Sequence, residues 1–423
     1  SDTALVVLTR KGGEGTDLPM DMANFTGSEA GRNYLEITPN EEDLLAMVEK
    51  NFSKVVVVLN SPNAMELGFL DNEAVDAAIW VGTPGATGCN SIGKVLTGEV
   101  NPSGKTVDTF PYAQESAPSY YNFGEFAYDN VTTTNTAILA GTGDAVAGTT
   151  PFYFVDYQEG IYVGYRYFET AAADGFIDYD STVQYPFGYG LSYTTFDQKL
   201  DDVEDDGTTI TAKVTVTNTG SVAGKQVAQI YVGAPYTKGG IEKPAVVLAG
   251  FAKTGQLDPG ASESVKIEFP VRQMASWSSE KGPYVLDGGD YVISLRTDSH
   301  TVVDQQTVSV TEKTFDTDEV TGTKLQNQFA DLTEYMEKNC KGEMLSRSDF
   351  KGTFPKPAED KDSADCGITV AEYNWKDHED SAATMPTTGA SNGLSLIDMR
   401  GKDYDDEAWD TLLDQLSVDE MTG

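Results

Sequence analysis

The residues able to do chemistry concentrate in one stretch, Arg10–Pro19 (RKGGEGTDLP), where Glu14 sits between glycines directly after the apolar run ALVVL. Three readings fit it: a glycine-rich phosphate cradle, an ordinary turn, or a loop presenting a catalytic carboxyl group. A dinucleotide cradle needs GxGxxG opening a helix, and a nucleoside triphosphate loop needs GKS or GKT at its end. Here Gly13 and Gly15 are followed by Leu18 and then Pro19, and no such ending closes the loop, so nucleotide binding is set aside. Glycines after a strand serve equally to reverse the chain. A carboxylate at the carboxyl end of a parallel strand, in turn, lies where open α/β sheets place their ligands. The turn and the catalytic acid therefore both stay open on the local residues.

Other chemistry is sparse. The three cysteines, Cys89, Cys340 and Cys366, are odd in number and widely spaced, poor material for a disulfide framework. There is no CxxC, and the two histidines, His300 and His378, read as strand-edge or loop residues, so neither a metal nor a cofactor is expected.

The elements that must position Glu14 come from the pattern around it. ALVVL at 4–8 and KVVVVLN at 54–60 read as buried strands, and NEEDLLAMVEKNF at 40–52 as an amphipathic helix capped by Asn40. Continuous apolar strands imply cover on both faces, hence a parallel sheet. A further helix is expected to lead into AAIWVG, and a short one to end near Gly98. The tyrosine-rich stretches between 151 and 195 read as packed material. From about 208 to 312 the period changes to two, with strands TITAKVTVTN, QVAQIYVG, VVLAGF, SVKIEFP, GDYVISLR and QTVSV between turns such as LDPGAS and LDGGD. This predicts an immunoglobulin-like β-sandwich lacking the cysteine pair. Residues 313–400 read as an extended charged linker with one helix, KLQNQFADLTEYMEKN, and the chain closes on a helix followed by a capping pattern, SVDE.

With 29 Lys plus Arg against 67 Asp plus Glu, the net charge is −38, and no basic cluster interrupts it. Nucleic-acid binding is disfavoured accordingly, since phosphate neutralisation needs clustered cations. No run of about 18 apolar residues is present to span a membrane. The compartment stays open between cytoplasmic and secreted, with the cytoplasm preferred, and homo-oligomerisation stays open too.

Several longer segments carry a family resemblance. ALVVLTRKGGEGTDLP resembles the strand and acid/base loop of glycoside hydrolase family 3 β-glucosidases; GEVNPSGKTVDTFP, YQEGIYVGYRYFET and YPFGYGLSYTTF are similar to later segments of that family, in the same order. VTVTNTGSVAGKQVAQIYVGAP and KPAVVLAGFAKTGQLDPGASESVKIEF resemble its fibronectin-type-III domain. The resemblance implies a retaining, exo-acting β-glucosidase acting on terminal β-D-glucosyl residues of a glucoside or oligosaccharide. Glu14 would be its general acid/base, with Lys11 and Thr16 beside the leaving-group site. A β-xylosidase or broader β-glycosidase is the neighbouring alternative, and a non-catalytic carbohydrate-binding or adhesion module the alternative of another class. The loop aromatics Tyr120, Tyr121, Phe123, Tyr128, Phe152 and Tyr153 are candidates for an active-site border, against ordinary packing.

The departures from the family pattern matter as well. The usual order puts a (β/α)₈-type barrel, with the nucleophilic aspartate in an SDW-like motif, before the α/β sandwich. Here no barrel precedes Ser1, and YDDEAWDTLLDQLSVDEMTG resembles the opening of that barrel, as in circularly permuted members. Ser348–Phe350, SDF, imitates the nucleophile motif from within the charged linker and is not assigned to it. The expected organisation is an α/β sandwich with a mostly parallel sheet over 1–195, a fibronectin-type-III-like β-sandwich over 196–312, a linker over 313–400 and the start of a barrel over 401–423. The nucleophile would then come from a barrel-containing chain or segment.

Overall fold

The computed structural model describes residues 2–13, 18–122, 124, 126–134, 149–278, 282–326, 339–340, 342–367 and 380–422. These fall into two compact units, the first formed by Ser1–Glu125, Val155–Met336 and Lys341–Ala358, the second by Phe126–Phe154, Glu337–Cys340 and Glu359–Gly423.

The first unit begins with strand β1 (Thr3–Thr9), helix α1 (Pro39–Asn51), strands β2 (Lys54–Asn60) and β3 (Ala77–Trp80), and helix α2 (Gly85–Leu96). The three strands pair in parallel in the order β1-β2-β3, with Val6 opposite Val57 and Val58 opposite Ile79. Their buried side chains Val6, Leu8, Val55, Val57 and Leu59 pack with Leu45 and Val48 of α1. Three expectations need correction here. Helix α1 is capped by Thr38, not Asn40: the Thr38 hydroxyl accepts from the Glu41 amide, the Glu41 carboxylate accepts from the Thr38 amide, and Pro39 occupies the first turn. No helix leads into β3; residues 68–71 make a 3₁₀ turn instead. Nor is β1 covered on both faces, for Leu5 and Val7 are 56% and 58% exposed while Val6 and Leu8 are buried.

After the short strand β4 (Phe110–Pro111) come the hairpin strands β5 (Ala127–Thr134) and β6 (Thr149–Tyr153) of the second unit, then helices α3 (Tyr165–Ala173) and α4 (Tyr179–Thr182) and strand β7 (Val183–Tyr185), which pairs with β4. The tyrosine-rich stretches are packing material here: Tyr162, Tyr167, Phe168 and Tyr179 are buried together with Leu345 and Phe350, and Tyr165 stacks on Phe187 at 4.6 Å.

The β-sandwich has one sheet of β8 (Phe196–Asp205), β9 (Thr209–Asn218) and β12 (Ser262–Pro270), and a second of β10 (Val227–Gly233), β11 (Val247–Lys253), β15 (Gly289–Arg296) and β16 (Val302–Val310). All pairings are antiparallel, and strands β13 (Ser276–Trp277), β14 (Tyr284–Leu286) and β17 (Lys313–Phe315) form a small sheet beside them. The alternation of β9 puts Ile210, Ala212, Val214 and Val216 into a core shared with Ile230, Ile293 and Leu295 of the facing sheet.

Part of the charged stretch after the sandwich straps this unit. Arg347 forms a bidentate pair with Asp174, donates to the Lys243 carbonyl at 2.9 Å and lies over the Tyr236 ring. Ser346 and Tyr162 both donate to the Glu242 carboxylate. In the SDF sequence Asp349 caps helix α5 (Phe350–Thr353), accepting from the Gly352 amide, and Phe350 is buried. Those are structural roles. Most of the helix expected over 324–339 lies outside the described residues.

In the second unit the β5–β6 hairpin carries a parallel bridge from Tyr128 to Lys361, and the Lys361 ammonium lies 4.3 Å above the Phe154 ring and donates to the Cys340 carbonyl. Cys340 and Cys366 form a disulfide, correcting the expectation that the cysteines are poor disulfide material. Residue spacing along the chain did not report that the hairpin brings them together. The C-terminal helices α6 (Ala408–Leu413) and α7 (Val418–Thr422) follow, and Ser417 and Glu420 make the anticipated capping box.

Candidate active site

The loop after β1 is anchored at its first residue. Arg10 is 6% exposed, and its guanidinium is fully engaged: Nε donates to the Tyr34 carbonyl at 2.6 Å, Nη2 to the Glu36 carbonyl at 2.6 Å, and Nη1 and Nη2 to the two Glu41 oxygens at 2.8 and 2.7 Å. Burial pushes the Glu41 carboxyl up, but the bonds from Arg10 and Thr38 outweigh it and hold the group below its ordinary value. One carboxylate thus caps α1 and pins the strand end from which the loop departs.

The next residues continue this fixing. The Lys11 amide donates to the Tyr34 hydroxyl at 2.8 Å, leaving the Lys11 side chain exposed. A β-carbon on Gly12 would meet Pro62 Cγ at 2.9 Å, so the loop passes close against residues 62–63 only because position 12 is glycine. Glu14 and Thr16 lie outside the described residues, which resume at Leu18.

A cavity of about 300 Å³ opens where the chain resumes, walled by Leu18, Met20, Asn33, Tyr34, Gln114 and Tyr120 among others. Its polar groups are held in place. Asn33 is buried and donates to Glu36 at 3.0 Å and to Glu66 at 3.2 Å, and the Gln114 amide nitrogen of the backbone donates to Glu66 at 2.7 Å. Burial raises the Glu66 carboxyl above its ordinary value against those bonds, with Glu36 and Glu115 adding repulsion. The Tyr120 hydroxyl is raised by burial and then by the same three carboxylates. The pocket is therefore lined by amides and phenols over a negatively charged base.

Of the loop aromatics singled out from sequence, Tyr120 alone lines this cavity. Tyr121 packs edge-on against Phe354 at 5.7 Å, Tyr128 packs on Phe154 at 5.1 Å, and Tyr153 is exposed; Phe123 and the Phe152 side chain lie outside the described residues. Sequence reasoning missed Arg10, Asn33 and Glu66. Glu66 did carry a signal, as a lone carboxylate within the apolar run AMELGFL. His300 is no idle loop residue: its Nδ1 lies 2.9 Å from the buried Glu169, and its ring stacks on Tyr179 at 3.6 Å. His378 is outside the described residues. Among the described residues no cluster of potential metal ligands occurs, and no helix is long and apolar enough to cross a membrane.

Residues 1–165 match the glycosyl hydrolase family 3 C-terminal domain, and residues 226–299 a fibronectin type III-like domain. The chain is 37% identical over 309 residues to a beta-glucosidase of Ruminococcus albus, covering 70% of this chain and 28% of that protein. It is 34% identical over 329 residues to beta-glucosidase A of Butyrivibrio fibrisolvens, covering 70% and 36%. Among solved structures it is similar to beta-glucosidase 3B from Thermotoga neapolitana in complex with glucose, with 32% identity, a TM-score of 0.57 and coverage of 74% of this chain and 38% of that one. A beta-glucosidase from Paenibacillus barengoltzii gives 32% identity, a TM-score of 0.59 and coverage of 74% and 31%. The chain spans 28% to 36% of the length of these two curated relatives.

Proposed function

We propose that this chain, which belongs to glycoside hydrolase family 3 through its C-terminal and fibronectin type III-like domains, is the acid/base-bearing part of a retaining, exo-acting β-glucosidase. Glu14 protonates the departing glycosidic oxygen and then, as carboxylate, deprotonates the water that releases the sugar. The nucleophilic aspartate comes from a (β/α)₈-type barrel of the same enzyme, held about 5–5.5 Å from Glu14 as double displacement requires.

The observation that carries this reading is the anchoring of the β1 loop by Arg10 beside a cavity lined with amides and phenols. Fixing the loop at its root reduces the cost of presenting the carboxyl group in the reacting geometry. The carboxylates Glu36, Glu66 and Glu115 favour the protonated form of the Tyr120 hydroxyl in that cavity's wall and would do the same for any acid brought beside it. The cavity is the leaving-group subsite, and Lys11 and Thr16 are the loop residues expected to serve it.

The test is reconstitution. An aryl β-glucoside is offered to the 423-residue chain alone and to the chain combined with a family 3 barrel. Hydrolysis only in the combined sample is expected; turnover by the chain alone would place the second carboxylate within it and overturn the split site.

A further inference from the structure

Strand β1 is an edge without a guard. It lies at one end of the sheet order β1-β2-β3, and its sheet neighbour among the described residues is β2 alone. Its seven residues, TALVVLT, carry no charge and no proline. The outer strands of one sandwich sheet differ: β8 bears Asp201, Asp202, Glu204 and Asp205, and β12 bears Glu263, Lys266 and Glu268. Charges of that kind keep an edge from accepting a foreign strand, and an edge that lacks them is normally paired or covered.

The face beside this edge is open as well. Leu5 stands opposite Val56 and Val7 opposite Val58, and these stand opposite Ala77 and Ile79, so one uncharged band crosses all three strands. Helix α1 packs on the other face, through Val6, Leu8, Val55 and Val57. On the open face Val58 is buried, but Val56 and Ile79 are half-buried, Ala77 is exposed, and Leu5 and Val7 are 56% and 58% exposed. Helix α2, which follows β3, buries none of its own side chains and leaves Leu5 and Val7 open. Crossover helices cover both faces of a parallel sheet, so this one lacks part of its cover.

We propose that a strand and an amphipathic helix of the same enzyme, outside these 423 residues, complete the sheet: the strand pairs in parallel along the outer edge of β1, and the helix packs on Leu5 and Val7. The inference rests on reading the chain as part of a larger glycosidase, and the chain spans 28% to 36% of the length of two curated relatives. A second copy fits less well. Paired edge to edge through β1, it leaves Leu5 and Val7 of both copies bare, and a net charge of −38 on each opposes association.

Handedness adds a consequence for the site. Crossovers between parallel strands are right-handed, so one that runs from β1 toward β2 puts its helix where α1 lies, and one whose helix covers Leu5 and Val7 runs the opposite way. The connections then diverge between β1 and its new neighbour. The crevice beyond their carboxyl ends is a topological switch point, the usual ligand position in open α/β sheets. Strand β1 ends at Thr9 and its loop departs there with Arg10, so the added strand supplies the facing wall of that crevice.

The test is hydrogen exchange, read by mass spectrometry, on the 423-residue chain alone and on the whole enzyme. The β1 amides that face away from β2 are expected to exchange at least about tenfold more slowly in the whole enzyme. Val7→Asp should lower the urea midpoint of the whole enzyme and leave that of the chain alone unchanged. Equal exchange of β1 in the two samples overturns the proposal, as does an equal effect of Val7→Asp in both. Protection that grows with the concentration of the chain alone also overturns it, because a second copy then occupies the edge. Hydrolysis of an aryl β-glucoside by the whole enzyme is followed in parallel. Hydrolysis with an unprotected β1 removes this inference and keeps the glycosidase reading; protection without hydrolysis does the reverse.

Discussion

Arg10 shows how a single residue prepares a site it does not complete. Its five donors end on three backbone carbonyls and one carboxylate, so it cannot be replaced by lysine, whose point charge lacks the planar fork. Arg10→Met should cost about 3 kcal/mol in urea unfolding, because Glu41 is left half-buried and uncompensated; Arg10→Lys should recover only part of that. The linkage has a definite sign. Glu41 is held below its ordinary value of 4.5 in the folded chain, so its contribution is present above that pH and is lost as pH falls through the lower folded value. The stability difference between wild type and Glu41→Gln should accordingly shrink on acidification below 4.5. None of this was legible in RKGGEGTDLP, where the eye goes to the glutamate. Apart from the neighbouring Thr9 carbonyl, the arginine's partners Tyr34, Glu36 and Glu41 lie 24 to 31 residues away, beyond any local pattern.

At the scale of elements, the alternating strand β9 over Thr209–Asn218 and the continuous apolar strand β2 over Lys54–Asn60 were readable almost to the residue. Strand β8 was not, because FDQKLDDVED hides its period under acids that decorate an exposed edge. The contact between α3 and the turn after β15 was equally invisible. There Glu169 is buried and accepts from Tyr179 at 2.7 Å and Ser299 at 2.8 Å, with His300 completing its shell and Asp298 and Asp180 nearby. The hydrogen bond to Glu169 raises the His300 ring above its ordinary value of 6.5 despite partial burial. Its stabilisation is therefore fully present below pH 6.5 and lost as pH rises through the raised value. His300 is 42% exposed, so the effect should stay within about 1 kcal/mol. His300→Gln should destabilise more at pH 5.5 than at pH 9, as read from urea midpoints at the two pH values.

For the whole molecule, the sequence pointed to the succession of an α/β part and a β-sandwich, because the hydrophobic period itself changes from continuous runs to alternation. It did not point to the disulfide, since pairing depends on which segments the fold brings together. Cys340 and Cys366 are separated by 26 residues, and closing such a loop constrains the unfolded chain by about 3 kcal/mol. Reduction should lower the melting temperature of the chain by an amount that Cys340→Ser reproduces and that is absent from the reduced variant.

On the proposed reading the site is a property of the whole enzyme, because one carboxyl group cannot carry out double displacement alone. The acid/base role proposed for Glu14 is tested most directly by azide rescue. In the barrel-complemented enzyme, Glu14→Ala is assayed on a dinitrophenyl β-glucoside, whose leaving group needs no proton, and on cellobiose. Glycosylation of the activated substrate is expected near the wild-type rate, turnover on cellobiose lower by about 10² to 10⁴, and release as the β-glucosyl azide accelerated by azide. Wild-type kinetics on cellobiose, with no response to azide, would contradict it.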